Sequence, residues 1–460
     1  MHKNKNLKQT IHKVYNKVGI TSDRTKNITK HVILSFIYKG GSMVSSFLLV
    51  PLTINYLDNE NYGVWLTLSS FIAWFSFFDI GLGNGLRNKF AVAKANGDLT
   101  LARAYVSSAY FTIGSVCLLL ILVFLGINFF IDWTRVFNAN VTMQKELGIL
   151  MPIVFSFFCL QLVVKLITTI YTADQHHSMQ GKINFFTSVG SLLAIWLMTH
   201  AGESSLLFFG AIFSALPVLL LLGLNVFAFS KTYKQYKPSL SLWKKKYLKD
   251  IFGLGFLFFL VQISGIILYS TDNMIISNLF SPAEVVPFNI SYKYFSIATM
   301  LFNIIANPYW SSITEAYIKN DFEWIRRSMK NFNRMAFVFI FCICIMMFLS
   351  NIFYNFWIGS KVYVTQSLTI LMGIFIMSSI FVTPYTFFIN GTGKVKIQAL
   401  QSVFCSLINI PLSIYFASNL KMGVGGVIFA TIICFIPSMI LAPMQYYKVI
   451  NNTAKGIWNK

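Results

Sequence analysis

The sequence predicts an all-α polytopic membrane protein with about twelve transmembrane helices, arranged as two six-helix lobes around a central cavity. Three observations predict this fold class. The 460-residue chain is 56% hydrophobic and only 11% charged, and its mean hydropathy of +0.64 lies outside the range of a soluble globular domain. Apolar stretches long enough to cross a bilayer recur along the chain. The two halves also share a weak internal repeat.

The individual helices are predicted from apolar stretches of roughly 20 residues, which at ~1.5 Å per residue cross a hydrocarbon core of ~30 Å. Short polar loops such as Asp58-Asn59-Glu60-Asn61 separate them. The predicted spans are residues 32–56, 63–86, 105–130, 147–173, 183–200, 205–229, 251–280, 288–308, 333–355, 365–388, 400–418 and 425–447.

The internal repeat appears when the first half is shifted by 223 residues. This shift aligns the pairs Asn55 with Asn278, Asn84 with Asn307, Ala93 with Ala316, Asp98 with Asp321, and Arg103 with Arg326. The last three pairs form one A-x4-D-x4-R pattern in two matching loops. Because six spans is an even number, the halves share one orientation and are related by an axis along the membrane normal.

The chain therefore divides into five predicted parts. A basic N-terminal segment (1–31) precedes the N-terminal lobe (32–229), and a basic linker (230–250) leads to the C-terminal lobe (251–447) and a short tail (448–460). The first segment has no apolar core and is not a cleavable signal peptide.

Orientation follows from the distribution of positive charge. Thirty of the 37 Lys and Arg residues fall in segments on the side of the N-terminus, and four fall in loops on the opposite side. By the positive-inside rule, both termini are cytoplasmic. The net charge of +22 thus reflects membrane orientation, and no nucleic-acid partner is expected.

Five charged residues interrupt the apolar spans: Lys39, Lys165, Lys293, Asp79 and Asp272. A charge at membrane depth costs roughly 2.5–3.5 kcal/mol on insertion scales, so such residues usually line a wet path or pair with one another. Counted along ideal helices, Lys39, Asp79 and Lys165 lie roughly 10–12 Å from the inner boundary, and Asp272 and Lys293 lie roughly 8–12 Å from the outer one. The excess of lysines predicts an anionic cargo.

Each of these five charges is also compatible with a purely structural role. Lys39 and Lys165 are placed to extend their side chains to the inner headgroups. Asp272 and Lys293 are spaced for a structural ion pair, and Asp79 for a pair with Lys39 or Arg87. A gradient-coupled carboxylate is the functional alternative for both aspartates.

Motifs for other chemistry are missing from the sequence. Gly81-x-Gly83-x-Gly85 lacks the Lys and Ser/Thr of a phosphate-binding loop. His176 and His177 are interpreted as a solvated pair, and the six cysteines fit no zinc or redox spacing. The sequence thus predicts buried free thiols, no metal, no cofactor and no enzyme activity.

Several segments carry a resemblance to a known family. They are Ser35–Ser42, Pro51–Leu57, Asn61–Trp65, Phe78–Lys89, Thr271–Ser277 and the pattern Trp310-x4-Glu315-Ala316-x4-Asp321. Together they resemble bacterial O-antigen and capsular polysaccharide flippases, the Wzx-type branch of the multidrug/oligosaccharidyl-lipid/polysaccharide exporter superfamily. The likeness spans nearly the whole chain.

This resemblance implies a cargo and a location. The cargo is an undecaprenyl-diphosphate-linked oligosaccharide, moved from the cytoplasmic to the periplasmic leaflet of the inner membrane by alternating access. Lysines in a wet cavity would offset the cost of carrying its diphosphate through hydrocarbon. Candidates for stacking on sugar rings are Trp65, Trp74, Tyr292, Tyr294 and Trp310, for each of which an interfacial aromatic belt is the alternative. Other polysaccharide-assembly proteins are possible partners.

Two competing functions are weighed against the flippase. A multidrug or cation antiporter of the same superfamily would need a cavity dominated by acidic residues, whereas the spans hold three lysines and two aspartates. A membrane-embedded polysaccharide polymerase would display a large outward loop with polar catalytic groups, and the longest predicted outward segment is only 131–146.

Overall fold

The computed structural model of the protein describes residues 23–76, 82–174, 176, 178–202, 204–247 and 256–459. Over these ranges the chain forms helices and no strand, which confirms the predicted all-α class. The principal helices are α1 Asp23–Trp74, α2 Leu82–Ala95, α3 Leu99–Asn128, α4 Trp133–Phe137, α5 Gln144–Val164, α6 Leu166–Ala173, α7 Ser178–Ala201, α8 Leu206–Phe227, α9 Phe256–Leu279, α10 Pro282–Ile318, α11 Phe322–Trp357, α12 Gln366–Thr392, α13 Lys396–Ile414 and α14 Val424–Ile450.

Nine helical segments among the described residues are long and apolar enough to cross a membrane. The first of them, Ile37–Trp74, contains most of the predicted first span and the start of the second. Helices α9 and α10 occupy the predicted seventh and eighth spans but are not among the nine. The protein is therefore a multi-pass membrane protein, while the count of twelve spans and the domain boundaries stay predictions.

Helix α1 is two helices that meet at Asp58. The backbone there has φ 66° and ψ 177°, a conformation that side-chain-bearing residues rarely adopt. The Asp58 carboxylate accepts hydrogen bonds from the backbone and side-chain amides of Asn61, both at 2.9 Å. The predicted polar loop is thus a single sharp bend, held by a side chain that caps the second helix.

The helices pack as two groups. Helices α2–α8 pack mainly among themselves and with α1, and α9–α14 pack mainly among themselves; we call these groups the N-terminal and the C-terminal lobe. The lobes meet mainly where α1 packs against α9 and α10. Buried aromatic side chains fill both interiors, among them Phe90 and Trp133 in the first lobe and Phe302 and Phe332 in the second.

The repeated Asp of the two halves has the same structural role in each. Asp98 caps α3 by accepting a hydrogen bond from Leu101 N at 2.8 Å, and Asp321 caps α11 by accepting one from Trp324 N at 3.0 Å. A side-chain oxygen at this position satisfies an amide that the first helical turn leaves unpaired. The spacing seen in the sequence therefore marks equivalent helix starts.

The repeated Arg also acts alike in the two lobes. Arg103 Nε donates to the carbonyl of Lys237 at 2.8 Å, and Arg326 donates to the carbonyl of Ile450 at 3.0 Å. Each arginine thus fastens the segment that leaves its own lobe, the linker or the tail. We call the end of the bundle that carries these contacts the linker end, and the opposite end, which carries Asp58, the distal end.

The lobes are joined at the distal end by hydrogen bonds. Asn138 donates to the carbonyl of Ser277 at 2.9 Å, and the Ser277 hydroxyl donates back to the carbonyl of Phe137 at 2.5 Å. Asn59 donates to the carbonyl of Lys361 at 2.9 Å, and the Lys361 ammonium binds Asn55. These hydrogen bonds hold the two lobes together at the distal end.

Candidate functional site

A cavity of about 490 Å³ lies between the two lobes, with a lysine from each lobe in its wall. Helix α1 contributes Lys39 and α10 contributes Lys293. The other lining residues are hydroxyl, amide and apolar groups: Ser42, Met43, Ser46, Phe47, Gly181, Asn184, Tyr292, Ser296, Thr299, Met300, Asn303 and Ile304. The two cations therefore face one space across the lobe interface.

A second cavity of about 440 Å³ adjoins the first and is lined by Lys165. The two cavities share Ser42 and Asn184 as wall residues. At this shared wall the Ser42 and Ser188 hydroxyls are hydrogen-bonded at 2.9 Å, which joins α1 to α7. We call the two spaces together the lysine cavity, because the structure brings all three predicted lysines to it.

Lys165 lies at a break in the membrane-spanning helix. Helix α5 ends at Val164 and α6 begins at Leu166. The side-chain amide of Asn225 donates to the freed Val164 carbonyl at 2.7 Å, and its oxygen accepts from the Tyr110 hydroxyl at 2.7 Å. Irregular backbone at membrane depth occurs only where other groups form hydrogen bonds with its free amides and carbonyls, usually beside a functional cavity. Asn225, a lone amide in an apolar span, was the sequence signal that the prediction missed.

The described wall of the lysine cavity is positively charged. Its residues include three lysines and no aspartate or glutamate. Lys39 is exposed, Lys165 and Lys293 are half-buried, and neither Lys39 nor Lys293 forms a salt bridge with a described residue. Like charges around one space repel in proportion to the inverse of their distance, so an anion that enters is attracted by all three.

The two aspartates do not join this cavity among the described residues. Asp79 lies in 77–81, outside those residues, so its pairing and its coupling role stay predictions. Asp272 is only 4% exposed inside the C-terminal lobe, and its Oδ1 has no hydrogen-bond partner among the described groups. The ion-pair alternative is wrong for Asp272 and Lys293, which form no salt bridge with each other. Lys293 faces Lys39 instead.

Among the predicted sugar-stacking residues, Tyr292 is the one found in the wall of the lysine cavity within the described structure. Tyr294, two positions later on α10, turns into the lobe, where its hydroxyl donates to the carbonyl of Met346 at 2.9 Å. Residues two apart on a helix point in nearly opposite directions, so both tyrosines cannot face the cavity.

The three candidate tryptophans pack elsewhere. Trp65 meets Phe209 edge-on at 5.2 Å between ring centres, within the N-terminal lobe. Trp74 lies 5.7 Å from Phe71, and its indole nitrogen is buried without a described partner. Trp310 is 40% exposed on α10 and does not line the lysine cavity. Their roles in sugar contact stay predictions.

Neither thiols nor clustered ligands suggest a metal or redox centre in the described structure. All six cysteines are free, four of them buried, while Cys342 and Cys344 are exposed on α11. Within the described ranges no group of three His, Cys, Asp or Glu side chains is placed to hold a metal ion.

Comparison with known proteins gives relatives of one kind. The chain is 22% identical to a Yersinia pseudotuberculosis protein named "Putative O-antigen export protein", over 80% of this chain and 85% of that one. It is 22% identical to the "Putative O-antigen transporter" of Salmonella typhimurium, over 89% and 94% of the two chains. Over most of its length the chain is thus similar to proteins named as O-antigen transporters, which is consistent with the Wzx-type resemblance found in its sequence. No family model matches it.

Solved structures show the same fold for this transporter. An inward-facing multidrug resistance MATE transporter of the superfamily superposes with a TM-score of 0.75 at 13% identity, covering 92% of this chain and 100% of that one. An outward-facing one gives 0.64 at 14% identity, covering 94% and 97%.

Proposed function

We propose that this transporter flips an undecaprenyl-diphosphate-linked oligosaccharide, a repeat unit of O-antigen or capsule, across the bacterial inner membrane. One observation carries the proposal: three lysines drawn from both lobes line one cavity, and its described wall has no carboxylate. Ammonium groups are point-charge partners for phosphate, and they gain strength where the dielectric is low. The relatives named as O-antigen transporters support the same cargo.

The proposed direction of transport rests on the distribution of positive charge and on the hydrogen bonds that join the lobes at the distal end. By the positive-inside rule the linker end and both termini are cytoplasmic, so the distal end faces the periplasm. The hydrogen bonds of Asn138 and Asn59 close that end, which leaves the cytoplasmic side as the side of entry. The diphosphate enters from there, while the polyprenyl tail stays in lipid.

Release requires the lobes to rock. Lys39 belongs to one lobe and Lys293 to the other, so the phosphate site exists in full only while the lobes hold this arrangement. Opening the distal end moves the two cations relative to each other and weakens the grip on the diphosphate. Tyr292 and the hydroxyl and amide groups of the wall contact the sugar. Other polysaccharide-assembly proteins receive the product on the periplasmic side.

Net movement needs an energy source, and we propose an ion gradient. Asp79 and Asp272 are the candidate coupling groups, because carboxylates at membrane depth commonly relay ions. Cationic cargo is disfavoured in turn, since three lysines raise the free energy of any cation in the cavity. The relatives carry transporter names, and no catalytic step is proposed.

The test compares glutamine substitutions that keep side-chain bulk and remove charge. We expect Lys39→Gln, Lys165→Gln and Lys293→Gln each to weaken binding of undecaprenyl diphosphate by the purified protein in nanodiscs about tenfold or more, because each removes a charge-assisted contact. In a strain lacking its flippase, the same variants would restore little surface polysaccharide at normal protein level.

Lys145→Gln is the matched control. Lys145 is exposed in the first turn of α5 and lies outside the lysine cavity, so this change should alter neither binding nor export. If the Lys39→Gln, Lys293→Gln double variant bound the diphosphate and exported polysaccharide like Lys145→Gln, the proposed function would be rejected.

A further inference from the structure

The described part of the linker is strongly basic. Residues 230–247, which we call the strap, contain no aspartate or glutamate and six lysines: Lys231, Lys234, Lys237, Lys244, Lys245 and Lys246. All six are exposed, and none of them forms a salt bridge with a described residue. The strap therefore concentrates positive charge that has no described counter-ion.

The first half of the strap lies against the start of α3. Arg103 Nε donates to the carbonyl of Lys237 at 2.8 Å. Four residues later on the same helix, the Ser107 hydroxyl accepts a hydrogen bond from the backbone amide of Ser239 at 3.0 Å. Tyr236 of the strap is buried in the N-terminal lobe. This half of the strap is thus a fixed part of the lobe surface.

The second half of the strap continues along α3. The Ser108 hydroxyl accepts from the backbone amide of Lys244 at 3.4 Å, and the Thr112 hydroxyl accepts from the indole nitrogen of Trp243 at 2.9 Å. From Arg103 to Thr112 the helix rises by about 14 Å. The strap therefore extends from the linker end toward the membrane-spanning part of α3.

The end of the strap lies on the side of α3 that faces lipid. Leu119 and Leu122 are more than half exposed in the apolar part of this membrane-spanning helix, as expected of side chains that face lipid. Leu119 follows Thr112 by seven residues, almost two helical turns, so the two side chains share one face. Trp243, which is bonded to Thr112, thus lies where the lipid-facing surface begins.

The strap also exposes apolar side chains of its own at this level. Leu240 is 69% exposed, and Trp243 is 43% exposed although its indole nitrogen is bonded. Tryptophan is enriched at the membrane–water interface, where its ring lies at the level of the headgroups. Lys244, Lys245 and Lys246 follow directly. Exposed Leu and Trp beside a cluster of lysines are typical of a segment that lies on a membrane surface.

We propose that the strap is a binding site for anionic phospholipid headgroups, such as phosphatidylglycerol, in the leaflet at the linker end. Leu240 and Trp243 contact the upper part of the acyl chains. The ammonium groups of Lys244, Lys245 and Lys246 bind the phosphates as charge-assisted donors. Each lysine near an anionic surface strengthens such binding about fivefold.

An acidic protein is a less favourable occupant of this surface. It would pair with the lysines, but Leu240 and Trp243 would have no role at the edge of a surface that already faces lipid. The strap is also separate from the lysine cavity, since no residue of the strap belongs to the described wall of that cavity. Phospholipid binding therefore does not rest on the proposed function.

The test compares dioleoyl phosphatidylglycerol with dioleoyl phosphatidylcholine, which have the same acyl chains. The purified full-length protein is mixed with equal amounts of both, and native mass spectrometry measures which lipid is bound. We expect a preference for phosphatidylglycerol that falls as the ammonium acetate concentration rises, because salt screens exposed charges. The triple variant Lys244→Gln, Lys245→Gln, Lys246→Gln should lower this preference about tenfold or more.

The matched control replaces the same residues by arginine, as Lys244→Arg, Lys245→Arg, Lys246→Arg. Arginine keeps the positive charge and also binds phosphate, so this variant should keep the preference for phosphatidylglycerol. Lys145→Gln, which removes an exposed charge outside the strap, should keep it as well. Because all three strap lysines are exposed, both triple variants are expected to fold normally.

Three results would overturn the proposal. The first is equal binding of the two lipids by the unaltered protein. The second is an equal preference in the glutamine and arginine variants, which, with export lost in the glutamine variant alone, would assign the lysines to an acidic protein partner. The third is displacement of phosphatidylglycerol by excess inorganic phosphate, which would assign them to phosphate ions from the aqueous phase.

Discussion

The two lobes share a scaffold and differ in their polar interiors. At the linker end the pairs Asp98 with Arg103 and Asp321 with Arg326 make equivalent contacts. At membrane depth the N-terminal lobe has a broken helix and a lysine beside a cavity, whereas the C-terminal lobe buries Asp272 without a described partner for its Oδ1. The comparison shows that the residues repeated in both halves position the helix ends. The proposed functions depend instead on residues that are not repeated.

The largest expected effect comes from Gly63, where α1 closely approaches the backbone at the start of α10. A Cβ added to Gly63 would lie 1.7 Å from the carbonyl oxygen of Pro282. Because the Pro282 carbonyl is part of the backbone and cannot rotate away, the clash pushes α1 and α10 apart at the distal end. We expect Gly63→Ala to hold that end open and to lower export about tenfold or more, because overpacking of this kind costs about 1–3 kcal/mol or beyond.

Cysteines introduced at Asn59 and Lys361 would report the change through cross-linking by a short bifunctional thiol reagent. Cross-linking should fall in Gly63→Ala and persist in Gly114→Ala, since a Cβ at Gly114 meets no atom within 4 Å. Unchanged cross-linking with normal export in Gly63→Ala would show that the closed distal end is not set by this contact.

Much of the fold could be predicted because a helix that crosses the bilayer must be apolar over about 20 residues. Apolar length predicted the helices, and the A-x4-D-x4-R repeat predicted two equivalent starts at Asp98 and Asp321. The loop at Asp58 was predicted but not its tightness, and the break at Lys165 was missed. Both depend on single side chains that satisfy backbone groups, and hydropathy averaged over a span does not detect them.

The site was predicted only in part, since depth along a helix does not give its rotation. Lys293 was grouped with Asp272 because a span of 288–308 placed it near the boundary. Helix α10 in fact begins at Pro282, so Lys293 lies eleven residues in, about 16 Å along the axis. The sequence thus singled out the three lysines that line the cavity, while their arrangement across the lobe interface required the packed structure.

A medium effect is expected at the broken helix of the N-terminal lobe. Asn225→Leu would leave the Val164 carbonyl and the Tyr110 hydroxyl without their partner. We expect a loss of stability of roughly 3 kcal/mol, from two buried polar groups left unpaired. The measurement is thermal unfolding of the purified protein in detergent.

Val226→Leu serves as the control for that change. Val226 is the next residue and is 67% exposed on the outer surface, so added bulk there should leave stability unchanged. A melting temperature for Asn225→Leu equal to that of Val226→Leu would mean that the break at Lys165 does not depend on Asn225.

The smallest expected effect tests what the lobes have in common. Arg103→Ala and Arg326→Ala each remove a hydrogen bond to a backbone carbonyl, that of Lys237 or of Ile450. Both carbonyls lie at the linker end and can turn to water, so we expect each change to cost only about 1 kcal/mol. If the lobes use the repeat equally, the two losses should agree within about 0.5 kcal/mol and add in the double variant, since the sites share no partner. A loss confined to one variant would show that the linker and the tail are fastened differently despite the shared sequence pattern.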